Sequence, residues 1–208
     1  MQIFRRVFPF AASTALLASL LGTAFTAPPV EAAASIFGQT EQDQNAYIAI
    51  ASPVDGGARH QLLVVEQRSN ARQCWSESGS NPTIVDPLLL QFDFSGICGR
   101  STDGNGYSIR VNGNQDIALD YSLAIVRRDG DLVLIGRPRL RTNPELVIGR
   151  AFGDTNGFAK INLNPGWRFT KRSFEGQILG HVYLANDQTL AAIAGQAPAP
   201  TPTPAPTP

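Results

Sequence analysis

Two short segments of the sequence carry residue types that could bind a ligand or a metal ion. The first, Ser101 to Asn112, contains DGNGY, a run typical of calcium-binding loops. A helix-loop-helix calcium loop needs oxygen ligands at positions one, three and five and a bidentate Glu at twelve. Asp103 and Asn105 fit positions three and five, but Ser101 and Asn112 occupy positions one and twelve. Turn chemistry explains the same residues without a metal, so Asp103 and Asn105 are only weak calcium candidates.

The second segment is NPGWRFTKRSF, residues 164–174, which mixes aromatic and basic side chains. In an extended strand, Trp167 points to one face and Arg168 to the other. Trp167 with Arg168, Lys171 and Arg172 could form a platform that stacks sugar rings and pairs with acidic groups. Large aromatic residues in strand patterns usually pack inward, so a core position for Trp167 is the favoured alternative.

Residue types used in hydrolysis are present without the settings that catalysis requires. The two histidines are His60 and His181, and no G-x-S-x-G elbow presents a serine to either of them. Glu77, Asp86 and Asp93 could supply the two carboxylates of a glycosidase, but isolated acids are ordinary in turns and at strand edges. We therefore expect no catalytic residue, no cofactor and no enzyme activity.

The elements that must position these residues are short β-strands, because the apolar runs are rich in Ile, Val, Leu, Tyr and Phe and are separated by turn residues. The Asp129-Gly130 pair predicts a hairpin between two such runs. Only NDQTLAAIAG, residues 186–195, predicts a helix, with Asn186 or Asp187 as its N-cap. The other predicted strands are YIAIASPV (47–54), HQLLVVEQR (60–68), PLLLQFDFS (87–95), SIRV (108–111), ELVIGRAF (145–152), FAKINLNP (158–165), GWRFTKRSF (166–174) and ILGHVYL (178–184).

This pattern predicts a fold class as well as its elements. Long helical segments do not alternate with the strands, which disfavours a parallel α/β architecture. The sequence therefore predicts a single all-β domain, an antiparallel sandwich or a partly closed barrel, with a short C-terminal helix.

The two ends of the chain predict an exported protein. Residues 1–34 begin with two arginines and continue into an apolar run that ends in small residues, which is the pattern of a signal peptide. Cleavage after Ala34 makes 35–195 the mature domain, and a cut after Ala27 is the alternative. Residues 196–208 are a Pro, Ala and Thr tail, which cannot bury a core. No second apolar run is long enough to cross a bilayer.

The net charge argues against one class of partner, and the cysteine content predicts a disulfide. The mature chain loses Arg5, Arg6 and Glu31 from totals of 17 basic and 17 acidic residues, so its net charge is near minus one. Such a balance argues against nucleic acid as the main partner. The two cysteines, Cys74 and Cys98, predict one disulfide in an exported chain, because neither a C-x-x-C motif nor a zinc-ligand spacing is present. Trp75 is expected to cover that bridge.

Two stretches resemble a known family. CWSESGSNPTIVDPLLLQFDFSGICGRSTDGNGYSIR (74–110) and LNPGWRFTKRSFEGQILGHVYL (163–184) are similar to an exported cyanobacterial family of the DUF3747 type, a domain of unknown function. The resemblance covers residues 37 to about 190. It implies a cyanobacterial, exported domain, and it transfers no catalytic residue because the family has no known activity.

The sequence as a whole predicts a non-catalytic component of the cell envelope or the extracellular matrix. Its place would be the periplasm, the cell surface or the extracellular space, and its partners envelope polysaccharide or another envelope protein. A carbohydrate-binding module for acidic glycans is the first alternative. A secreted hydrolase is the second.

Overall fold

The computed structural model describes residues 36–196. The predicted signal peptide and almost all of the predicted tail lie outside these residues. The prediction of an all-β domain with a short C-terminal helix is confirmed. The strands are β1 (Gly38–Glu41), β2 (Tyr47–Val54), β3 (Arg59–Gln67), β4 (Ser76–Ser78), β5 (Ile84–Asp86), β6 (Cys98–Ser101), β7 (Tyr107–Val111), β8 (Gln115–Asp116), β9 (Tyr121–Arg128), β10 (Asp131–Pro138), β11 (Leu146–Arg150), β12 (Ala159–Leu163), β13 (Arg168–Phe174) and β14 (Gln177–Asn186), and the helix is α1 (Leu190–Ala194).

The strands form two sheets. Seven strands of the larger sheet follow the order β6-β3-β2-β12-β11-β10-β9, and the β4–β5 hairpin joins it at β12. This sheet curls into a half-barrel, which brings β9 close to β3. The smaller sheet has the order β1-β13-β14-β7-β8. Its strands pair antiparallel except β7 with β14, which is a parallel pair that an antiparallel fold did not predict.

The apolar residues divide between two cores. The main core lies between the half-barrel and the inner face of the smaller sheet, and it includes Trp167 and Phe169 of the β13 segment. The second core lies on the other face of β2 and β3, where Ile48 and Ile50 pack near the cysteines. Both faces of β2 are therefore buried, which explains why its sequence is a continuous apolar run rather than an alternating one.

The predicted disulfide is confirmed. Cys74 and Cys98 are bridged, with their Cα atoms 5.9 Å apart, and both are buried in the second core. Cys98 begins β6 and pairs with Gln67 at the end of β3. The bridge thus fastens the loop that follows β3 to the same sheet.

Local sequence signals predicted some elements well and others poorly. The Asp129-Gly130 turn joins β9 to β10 with both residues at positive φ, as predicted. The strand predicted at 87–95 is wrong, because Leu88–Gln91 forms a 3-10 turn in which only Leu89 is buried. The helix is capped by Thr189, whose side chain accepts a hydrogen bond from the Ala192 amide, and not by Asn186 or Asp187. Within residues 36–196, no helix is long and apolar enough to span a membrane.

Candidate functional site

The open end of the β2–β3 hairpin forms a cleft. Tyr47, the first residue of β2, pairs with Glu66 next to the end of β3, so the segments before β2 and after β3 leave the sheet side by side. These two segments are the walls of a cleft of about 640 Å³, which we call the Trp75 cleft. Its lining consists of Asp43, Asn45, Ala46, Gln67, Asn70, Arg72, Gln73 and Trp75.

The first wall is fixed to β13 by a side chain that imitates backbone pairing. Asp43 caps the 3-10 turn Gln44–Ala46 by accepting a hydrogen bond from the Asn45 amide at 3.0 Å. The Gln44 side chain accepts from the Phe169 amide at 2.8 Å and donates to the Phe169 carbonyl at 2.9 Å. This wall therefore has little freedom to move relative to the smaller sheet.

The second wall is held by the disulfide and by the half-buried side-chain amide of Gln67. Gln67 accepts a hydrogen bond from the Cys74 amide at 2.9 Å and donates to the Arg72 carbonyl at 2.7 Å. The Arg72 guanidinium lies over the Phe92 ring, 4.1 Å from its centroid. Because both walls are fixed before any ligand arrives, binding would require little ordering of the protein.

The lining offers hydrogen-bonding groups that residues 36–196 do not use. The side-chain amides of Asn45, Asn70 and Gln73 make no hydrogen bond to any residue in the described range. Each such amide has two donors and an acceptor. Trp75 is half-buried, and its Nε1 donates to Glu77 at 3.1 Å. An aromatic ring among free amides is suited to a ligand with apolar faces and many hydroxyl groups.

The acids considered for glycoside hydrolysis are engaged in other contacts. Burial would raise the pKa of Glu77, but hydrogen bonds from Lys160 and Trp75 outweigh it and lower the pKa. Glu77 is thus an ionised partner of Lys160 at 2.8 Å. Asp86 accepts a hydrogen bond from Gln91 at 3.4 Å, and Asp93 accepts one from the Ser95 amide at 3.1 Å.

The predicted platform on β13 has a different environment. The Trp167 side chain belongs to the main core and is only 6% exposed, which is the alternative that the sequence favoured. Each of the three basic residues has a carboxylate partner, so their role in ligand binding stays a prediction. The ion pairs are Arg168 with Glu41 and Asp187, Lys171 with Glu66, and Arg172 with Asp116.

The Lys171 pair is the most buried of these contacts. Burial would raise the pKa of Glu66, but hydrogen bonds from Lys171, Arg68 and Tyr47 outweigh it and lower the pKa. Burial and the contact with Glu66 raise the pKa of the Tyr47 phenol. The cluster therefore links β2, β3 and β13 through an ionised carboxylate.

The DGNGY segment is a turn that leads into β7. The Asp103 carboxylate accepts a hydrogen bond from the Asn105 amide at 2.8 Å, and the Asp103 carbonyl accepts from Gly106 and Tyr107. The part of the chain that the structure describes contains no group of three or more His, Cys, Asp or Glu residues able to hold a metal ion. Asp103 is thus occupied by its own turn.

The histidines have partners that the sequence did not reveal. His181 contacts Ser108 Oγ through Nε2 and the Asn105 carbonyl through Nδ1, both at 2.9 Å. Burial lowers the pKa of His181, which favours the neutral ring, whose Nε2 accepts a hydrogen bond from Ser108 Oγ. Ser108 is only 5% exposed in the middle of β7. His60 contacts the Gly157 carbonyl at 3.0 Å.

The family follows from comparison with known sequences. The model of a family described as a protein of unknown function (DUF3747) matches residues 13–189. The chain belongs to this family. A search of curated proteins and a search of solved structures find no match. The resemblance noted in the sequence is therefore confirmed at the level of the family, which brings with it no ligand or reaction.

In this DUF3747 chain, sequence reasoning missed most of the Trp75 cleft. The polar run SNARQ, residues 69–73, lies directly before Cys74 and was a usable local signal. The opposite wall was not accessible to the same reasoning, because Asn45 meets this loop only through the pairing of β2 with β3.

Proposed function

We propose that this DUF3747 domain is an exported, non-catalytic component of the cell envelope or the extracellular matrix that binds glycan in the Trp75 cleft. The observation that carries the proposal is the half-buried Trp75 in a fixed cleft with three side-chain amides that have no partner in residues 36–196. Arg72 adds one guanidinium, which favours a glycan with acidic groups.

The composition of the cleft supports a sugar rather than a hydrophobic ligand. A sugar ring presents an apolar face that packs on an indole and hydroxyl groups that pair with amides. Asn45, Asn70 and Gln73 lie among the lining residues with Trp75. Fixed walls reduce the entropy lost on binding, so weak individual contacts can add up.

Two observations support the non-catalytic and exported parts of the proposal. A glycosidase needs two carboxyl groups across the scissile bond, and Asp43 is the one carboxylate among the residues that line the cleft. Asp43 is already occupied as the cap of a turn. The formed disulfide and the signal-peptide pattern of residues 1–34 support export.

A glycan array followed by calorimetry on the best oligosaccharide tests this proposal. The protein starting at Ser35 with its bridge formed should bind. Trp75→Ala should weaken binding about tenfold, because the sugar would lose the apolar burial and the stacking that the indole provides. Asn70→Ala with Gln73→Ala should weaken it too, and both residues are exposed, so the fold is preserved.

The matched control is Asn114→Ala with Gln177→Ala, which removes two exposed amides far from the lining in sequence. Its affinity should equal that of the parent. An array without binding, or cleft variants that bind like the control, would refute the proposal. Cleavage of a bound oligosaccharide would refute its non-catalytic part.

A further inference from the structure

The end of the β9–β10 hairpin away from its turn has an unusual surface. Tyr121 pairs with Pro138 where the two strands meet this end. The Arg139 amide donates to the Asp120 carbonyl at 2.8 Å, which holds the segment before β9 against the segment after β10. We call this surface the basic tip, and its residues are Leu119, Asp120, Arg137, Arg139, Leu140 and Arg141.

The basic tip carries positive charge that the described part of the chain does not neutralise. Arg137, Arg139 and Arg141 are exposed, and none of them forms an ion pair with a carboxylate in residues 36–196. The neighbouring Arg127 and Arg128 differ, because they pair with Asp154 and Glu145. Asp120 is the one acidic residue of the tip, so the surface keeps a positive charge.

The same surface exposes large aliphatic side chains. Leu119 is 89% exposed and Leu140 is 60% exposed. Leucine in water loses the free energy that burial of its apolar surface would provide. Two leucines beside three unpaired arginines therefore favour a partner that offers both an apolar phase and negative charge.

An anionic lipid bilayer offers both an apolar phase and negative charge, one layer directly above the other. Aliphatic side chains enter the boundary between headgroups and acyl chains, while guanidinium groups bind phosphate above it. A soluble polyanion would satisfy the arginines but would leave the leucines in water.

We propose that the basic tip docks the domain on the surface of a membrane that contains anionic phospholipid. Leu119 and Leu140 enter the interface, and Arg137, Arg139 and Arg141 bind lipid phosphates. This contact goes beyond glycan binding, because the tip shares no residue with the Trp75 cleft.

Vesicle co-sedimentation tests the docking surface. The disulfide-bonded chain from Ser35 should bind vesicles of phosphatidylcholine mixed with phosphatidylglycerol, and should not bind phosphatidylcholine alone. Arg137→Gln, Arg139→Gln and Arg141→Gln together should weaken binding on the order of 100-fold, which is roughly fivefold for each charge near the surface. Leu119→Ser with Leu140→Ser should weaken it roughly tenfold through lost apolar burial.

Matched controls separate the tip from general charge and hydrophobicity. Arg59→Gln, Arg100→Gln and Arg128→Gln together remove the same charge, and Leu90→Ser with Ile178→Ser removes two residues that are 53% and 56% exposed. Both controls should bind vesicles as the parent does. Equal losses in controls and tip variants would overturn the proposal.

Two further outcomes discriminate this proposal from the glycan site. The parent could bind soluble dextran sulfate as tightly as it binds vesicles, and Leu119→Ser with Leu140→Ser could leave that affinity unchanged. This result would overturn lipid docking in favour of a soluble polyanion. Trp75→Ala should leave vesicle binding unchanged, so failure of the glycan proposal does not affect this one. Loss of vesicle binding in Trp75→Ala would overturn the separation of the two surfaces.

Discussion

Trp75 and Trp167 each sit near basic residues in the sequence, yet the structure gives them opposite environments. Trp167 lies at the start of a strand in the main core, and the basic residues that follow it are paired with carboxylates. Trp75 lies on a loop at the edge of the second core, and the amides near it have no partner among residues 36–196. What separates the two regions is whether their polar groups have partners among residues 36–196.

The neutralising acids on β13 come from other parts of the chain. Glu41 lies on β1, Glu66 on β3, Asp116 on β8 and Asp187 just after β14. Each contact fastens one of these segments to β13. The basic residues of this strand thus stabilise the fold. Other contacts form the Trp75 cleft, and its side-chain amides remain available to a ligand.

Trp167→Ala gives the largest expected effect and tests whether Trp167 serves the core and not ligand binding. We expect a loss of about 3–5 kcal/mol in the free energy of unfolding, because the change leaves a cavity in the main core. Urea denaturation measures this loss, and glycan affinity per folded molecule should match that of the parent. If the variant were stable but no longer bound glycan, the result would indicate that glycan binds at β13 and not in the Trp75 cleft.

The next largest effect is expected from Cys74→Ala with Cys98→Ala. The bridge joins residues 24 apart, so its removal should cost about 3.5 kcal/mol on the chain-entropy model. The loop that carries Trp75 would also lose an anchor, so glycan binding should weaken in molecules that remain folded. Denaturation and calorimetry on the same sample measure both. Unchanged affinity would show that Gln67 alone suffices to fix the cleft.

A smaller, pH-dependent loss of stability should distinguish the Glu66–Lys171 ion pair from an exposed ion pair. Glu66→Gln should lower the free energy of unfolding by about 2 kcal/mol at neutral pH, because hydrogen bonds to a buried charge are lost. The pKa of Glu66 is lowered in the folded protein, so its contribution is full above the pKa of the unfolded chain. The contribution disappears as the pH falls through the folded-state pKa, and the two proteins should converge in acid.

Denaturation at a series of pH values measures this convergence. The control is Glu145→Gln, which breaks the exposed pair with Arg128 and should cost less than about 1 kcal/mol at any pH. A gap between parent and Glu66→Gln that persists unchanged into acid would contradict an ionised Glu66.

Elements set by adjacent residues were accessible to sequence reasoning. The Asp129-Gly130 turn was predicted because positive φ is a property of those two residues. The 87–95 segment was mistaken for a strand because three consecutive leucines resemble one, although Leu89 alone is buried. The disulfide was predicted because two cysteines in a chain with the pattern of a signal peptide leave few alternatives.

The candidate site depended on pairing between distant segments. Asn45 and Asn70 line one cleft because β2 pairs with β3, and a local pattern does not encode that register. Burial of Trp167 was favoured in advance, but Glu41 and Glu66, which pair with Arg168 and Lys171, lie more than a hundred positions away. The polar side chains that remain available to a ligand can therefore be identified only once the long-range ion pairs and strand pairings are known.

The pairing of β1 with β13 also determines when the domain can take shape. Residues 38–41 hydrogen-bond to residues 170–173, so the first strand has no sheet partner until nearly the whole domain has been synthesised. Contacts of such high sequence separation make folding slow, because a long loop must close before the contact is formed. A chain that stops short of residue 170 therefore lacks a completed smaller sheet, and synthesis order sets the earliest moment at which the native topology can exist.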